Sequence, residues 1–214
     1  MHAPDPVQRC WDDLTSRRGC AAAPAAGAVF EEIAGAYREL HRHYHTLDHI
    51  GALLALLARF GGGAADRDAL TLAVLFHDIV YDPRRQDNEE ASASLAAERL
   101  AGLGFPGALV AKVARYILAT RHDQPVEEIG DPDLVLLLDL DLSILAAAPD
   151  AYRAYAQAVR REYAFVPDPL YRKGRARVLE AFLARRHIYG TERLRALWEQ
   201  PARANLAGEV AELA

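Results

Sequence analysis

Leu72 to Asp82 reads LAVLFHDIVYD, an apolar run interrupted by one histidine and one aspartate side by side. At helical period, Leu70, Val74, His77 and Tyr81 fall on one stripe, so the His77 imidazole points where side chains are removed from water. Asp78 lies about 100° further round, at the edge of that stripe. A carboxylate is costly to bury unless it meets a cation or a full set of hydrogen bonds. A divalent metal meets both needs, because it takes an imidazole nitrogen and a carboxylate oxygen together.

Outward from this stretch the period stays helical. Ile50, Leu53, Leu54, Leu57 and Phe60 form the stripe of a preceding helix, with Thr46 as its N-cap and Gly61 to Gly63 as its stop. A helix over about 28–40 carries Val29, Ile33, Ala36, Tyr37 and Leu40, an opening helix over 7–18 surrounds Trp11 and Leu14, and Cys20 to Gly27 reads as a connection. The helix holding His77 and Asp78 is expected to end at Asp82 and Pro83. Downstream, EEASASLAAERLAGLG has acids in its first turn and glycines at its end, and a further helix runs over about 106–120. DPDLVLLLDLDLSILAAAP, residues 131–149, is apolar almost all the way round, which fits a buried helix or a buried strand; its length and helical neighbours select the helix. On it Leu134, Leu138, Asp141 and Leu145 share one face. Beyond Asp150, helix-forming stretches alternate with the break VPDPL at 166–170. Strand signals are nearly absent, with no Asn-Gly or Asp-Gly turn, and the expectation is an all-α fold in one domain over 1–214.

With 51% hydrophobic residues in 214, the chain can bury a core without disulfides. A net charge of -5 and a pI near 5.9 argue against a nucleic-acid duplex as partner and favour a small molecule. Cys10 and Cys20 lie far from the histidines, which predicts neither a disulfide framework nor a cysteine-bound metal, and a reducing, cytoplasmic compartment. The N-terminal MHAPDPVQRCWDDL lacks the apolar run of a secretory signal, and no stretch is long enough for a membrane span. Oligomeric state is not legible.

Four of the eight histidines lie between His41 and His49. His45 and His49 share a face if the helix begins early, the spacing with which two imidazoles converge on one ion. If Thr46 is the N-cap, only His49 belongs to the helix, and His45 is free to donate a proton. The candidate shell is His49, His77, Asp78 and an acid on the buried helix, Asp139 or Asp141. Such a mixed nitrogen and oxygen set suits Mn, Co, Ni, Zn, Fe or Mg and leaves positions for water.

The order His49, His77-Asp78, Asp141 resembles the signature of the HD superfamily of metal-dependent phosphohydrolases. YHTLDHI at 44–50 is similar to the segment of cyclic-nucleotide phosphodiesterases whose first histidine is a general acid and whose second binds metal, which implies His45 as acid and His49 as ligand. LDLS at 140–143 resembles the late aspartate-leucine-serine element of those enzymes and implies Asp141 as the last ligand. The wider run YHTLDHI, FHDIVYDP, DNEEASA, ILATRH, DLDLSIL, REY and ARANL resembles a bacterial family of predicted HD hydrolases of unknown substrate. The resemblance implies a helical HD bundle with its core over about 28–148 and a C-terminal helical extension over about 150–214. The segment after Asp78 departs from the phosphodiesterase pattern by lacking the further histidine of a second metal site.

The activity so implied is hydrolysis of a phosphate ester on a small molecule, a nucleotide among the candidates, by metal-activated water. Asp78 would ligate and orient the water, and His45 or His122 would protonate the leaving oxygen. Arg121, beside His122, is the first candidate phosphate clamp, followed by Arg84, Arg85, Arg160 and Arg161. Glu89 and Glu90 fit either an outer-shell role at the ion or the ordinary offset of a helix dipole. The rival functions are a non-catalytic sensor for a phosphorylated ligand and a helical scaffold with a structural metal.

Overall fold

The computed structural model describes residues 5–19 and 23–214, and the side chains of 5–19 and 25–214. Among the described residues every regular element is helical, as the sequence period predicts. The chain divides into two compact units, Met1–Arg121 and His122–Ala214, a division that falls inside the span assigned from sequence to one core. The first holds α1 (Pro6–Arg17), α2 (Ala23–Ala36), α3 (Leu47–Phe60), α4 (Arg67–Phe76), α5 (Asn88–Gly102) and α6 (Gly107–Ala119). The second holds α7 (Pro132–Asp141), α8 (Pro149–Glu162), α9 (Asp168–Ala184) and α10 (Glu192–Leu213). Among the described residues no helix is long and apolar enough to cross a membrane.

The first unit is built around α4, in which every residue from Ala69 to Phe76 is buried. Asp66 caps its N-terminus by accepting from the Ala69 N–H at 3.1 Å and pairs with Lys112 of α6 at 3.1 Å. Trp11 of α1 is wholly buried; its Nε1–H donates to the Ala26 carbonyl at 3.0 Å, and its ring meets Phe76 edge-on at 6.2 Å. The turn LGFP between α5 and α6 closes with Gly104 at φ 80. Its N–H reaches the Ala101 carbonyl and that of Phe105 the Leu100 carbonyl, both at 3.0 Å, a Schellman ending that requires the left-handed residue.

Three boundaries differ from the sequence expectation. Helix α2 already runs through Ala23–Gly27, where a connection was expected; residues 20–22, Cys20 among them, lie outside the described residues. It stops at Ala36 rather than Leu40, and Leu40 is 96% exposed, because the chain leaves the helix at Tyr37 to cross toward the end of α4. Helix α4 ends at Phe76 rather than near Asp82, with His77 as its C-cap. The apolar period continues past the point where the hydrogen-bonded ladder stops.

In the second unit Asp131 caps α7 by accepting from the N–H groups of Asp133 and Leu134. Leu134, Leu137, Leu138 and Leu140 are buried in α7, and Leu145, Leu179, Tyr189 and Leu206 belong to the unit's apolar core. Trp198 packs against that core, 5.6 Å from the Tyr189 ring. One buried ion pair crosses it: Arg175 Nε donates to Glu209 at 2.8 Å, and the Tyr152 hydroxyl donates to the same carboxylate at 2.5 Å. A Cβ on Gly190 would stand 2.5 Å from Val135 Cγ1, so the approach of the chain before α10 to α7 requires glycine there.

Candidate metal centre

Because α3 begins at Leu47 with Thr46 as its N-cap, His49 belongs to the helix and His45 to the loop before it. His49 is carried inward by the stripe of Ile50, Leu53 and Leu57. His77 and Asp78 arrive from the C-terminal end of α4. His49, His77 and Asp78 each offer a ligand atom within 4.8 Å of the others. Among the described residues they are the group that could hold a metal ion.

The protonation pattern suits ligation. His77 Nδ1 lies 3.0 Å from the Val74 carbonyl, which only accepts, so Nδ1 carries the hydrogen and Nε2 the lone pair. That Nε2 lies 3.0 Å from Asp78 Oδ2, with the His77 side chain 3% and the Asp78 side chain 18% exposed. The pair thus has one dry side and one open side.

The turn after α4 has no helical ladder to hold it, and side chains supply the missing partners. The Tyr37 hydroxyl donates to the Leu75 carbonyl at 3.2 Å and accepts from the Asp78 N–H at 3.3 Å. Arg42 donates to the carbonyls of Asp78 at 2.6 Å and Ile79 at 3.0 Å, and His41 Nε2 donates to that of Tyr81 at 2.7 Å. From α5, Ser92 Oγ accepts from Val80 N–H and donates to its carbonyl, while the Asn88 amide pairs in the same way with Asp82. Segment 37–42 and the start of α5 therefore position the His77–Asp82 turn. Of these residues, Tyr37 was placed on a helix stripe in the sequence and Asn88 and Ser92 fall in the DNEEASA run, while nothing marked Arg42. The signal for Tyr37 was its hydroxyl, since a buried phenol needs a partner.

His45 stands beside the triad. Its ring lies 4.2 Å from that of Tyr81 and 6.1 Å from that of His49, and Tyr44 packs at 4.8 Å from His49.

The remaining candidates are placed as follows. Arg121 is engaged by the acids of α5, its Nη2 donating to Glu90 and its Nε lying 3.9 Å from Glu89, so the first candidate clamp pairs with both nominated acids. Arg84 is 64% exposed and lies 3.7 Å from Asp82, and Arg85 pairs with Asp87 at 2.9 Å. Arg160 donates to the carbonyls of Tyr163 and Val166, ending α8, and Arg161 is exposed.

In the second unit His122 Nε2–H donates to Asp141 Oδ2 at 2.8 Å. His122 takes the left-handed conformation, φ 56, uncommon for a residue with a side chain, and its carbonyl accepts from Arg185 Nη2. Burial holds the Arg185 guanidinium below its usual pKa, with the carboxylates of Glu127 and Asp123 acting the other way. Asp139, the alternative to Asp141, is fully buried and occupied. Its oxygens accept from Gly190 N–H at 2.7 Å, Thr191 N–H at 2.8 Å and Thr191 Oγ1–H at 2.6 Å, which fastens the start of α10 to α7. Burial raises its pKa, with these three donors acting the other way.

No family model matches the sequence, and neither a curated protein nor a solved structure is found to match the chain.

Proposed function

We propose that the chain is a metal-dependent phosphohydrolase of the HD type, acting on a phosphate ester of a small molecule, nucleotides among the candidates. The observation that supports this reading is the triad His49, His77 and Asp78, with ligand atoms within 4.8 Å of one another and His77 Nδ1 already satisfied by the Val74 carbonyl. Two imidazoles and one carboxylate fit a divalent ion of the Mn, Fe, Co, Ni, Zn or Mg group and leave positions open. An ion bound there supplies Lewis acidity and activates water at neutral pH.

The chain's own residues do the rest. Asp78, the least buried member of the triad, accepts a hydrogen bond from the attacking water and orients it. His45, outside α3 and braced by Tyr81, donates its ring proton to the leaving oxygen. His122 has its Nε2–H on Asp141 Oδ2, so it orients that carboxylate and leaves the acid role to His45. Asp141, the last ligand implied by the HD resemblance, is preferred to Asp139, whose oxygens are occupied. We assign the cytoplasm as the working compartment, on two cysteines that stand apart from the histidines.

Metal analysis tests the reading: about one ion per chain is expected, lost in Asp78→Ala with helical content unchanged. Phosphate release from a panel of mono- and diesters should follow the metal and vanish in His45→Gln. A protein that stays metal-free after expression with Mn, Co, Ni and Zn supplied would refute the proposal, and ligand binding without turnover would reassign the pocket to a sensor.

A further inference from the structure

Arg42 is a charge that the reading above leaves without a task. Its side chain is fully buried, 0% exposed, and its guanidinium lies between the rings of Tyr37 at 5.1 Å and Tyr81 at 5.4 Å. A guanidinium withdrawn from water must have its donors met. Arg42 has four acceptors: Nε donates to Glu39 Oε2 at 2.9 Å, Nη1 to Asp78 O at 2.6 Å and His45 O at 3.5 Å, and Nη2 to Ile79 O at 3.0 Å. Only one is a carboxylate, and it is 48% exposed.

The other three acceptors are main-chain carbonyls, and their positions are informative. Two belong to Asp78 and Ile79, just past the end of α4, where carbonyls lack intrahelical donors and the helix dipole is negative. The third belongs to His45. One planar fork therefore ties the segment carrying a candidate ligand to the segment carrying the candidate acid. A lysine keeps the charge but not the fork, since its ammonium cannot span carbonyls on two segments in one plane.

We propose that Arg42 is a positioning residue of the metal centre: its guanidinium sets the His77–Ile79 turn against the His45 loop, so that Asp78 and His45 are presented together. This rests on the metal reading above. An arginine that only filled the core would change the melting temperature and leave the triad's response to metal alone.

The test compares Arg42→Lys with wild type in the full chain. Its readouts are circular dichroism and melting, Co(II) titration with the visible spectrum of the bound ion, and the histidine ring NMR signals of metal-free protein. Arg42→Lys should keep its helical content, lose about 10- to 100-fold in Co(II) affinity, alter the Co(II) spectrum and shift the His45 and His77 ring signals. A lower melting temperature with wild-type Co(II) affinity, spectrum and ring signals overturns the proposal. If Arg42→Lys does not fold, Glu39→Ala replaces it, since it removes the carboxylate that orients the guanidinium through Nε; weaker Co(II) affinity with shifted His45 and His77 ring signals supports the proposal, and wild-type affinity and ring signals overturn it. Should wild type bind no Co(II), the metal reading fails by itself. The ring signals then decide on Arg42, and unshifted His45 and His77 overturn it.

Discussion

A pair of adjacent residues shows how much one position can carry. His77 turns one nitrogen to the Val74 carbonyl and the other toward Asp78, while Asp78 keeps an open side. Tyr37→Phe deletes the hydroxyl that joins Leu75 O to the Asp78 N–H and leaves both groups without it. We expect a loss of about 1–3 kcal/mol, read from urea unfolding. Asp139→Asn places an amide nitrogen against N–H or O–H donors of Gly190 and Thr191. It should cost about 1–3 kcal/mol in the same measurement, with metal content at the wild-type level. The histidine and aspartate of the triad were legible because a polar pair in an apolar run needs an explanation. That Asp139 is engaged was not legible from α7, which is apolar nearly all round; its partners are Gly190 and Thr191, about fifty positions later.

At the level of elements, the end of α4 is the instructive case. Its apolar period runs on to Tyr81, yet the helix stops at Phe76 because Tyr37, His41 and Arg42 supply acceptors and donors to the groups beyond it. Those partners lie more than thirty positions upstream, where no local pattern could reveal them. The start of α3, by contrast, was legible, since Thr46 takes an N-cap conformation at the expected place. The loop between α9 and α10 gives an element-level prediction. Gly190→Ala drives a methyl to 2.5 Å from Val135 Cγ1 and disturbs the Asp139 contacts. A loss of about 1–3 kcal/mol is expected, with a lower melting midpoint as the readout.

For the whole molecule, pH and metal are the levers. Burial pushes the Asp66 carboxyl up, but the Ala69 N–H and Lys112 outweigh it and hold the pKa below the usual 3.8. Asp66 therefore contributes stability above that value, lost as pH falls through the lowered one. Asp139 has the opposite sign: its pKa is raised above 3.8, mainly by burial, so its contribution is present below 3.8 and lost as pH rises through the raised value. Urea midpoints from about pH 3 to pH 7 should show the acid limb weakened in Asp66→Asn. On the proposed metal reading, an ion at the triad at a hundred times its Kd should raise stability by about 2.7 kcal/mol, reversed by chelation in a melting experiment. The chain's two tryptophans are divided one to each unit, Trp11 wholly buried against Phe76 and Trp198 beside Tyr189. The protein thus carries its own pair of fluorescent reporters: Trp198→Phe leaves an emission that follows the unit with the metal triad, and Trp11→Phe leaves one that follows the other.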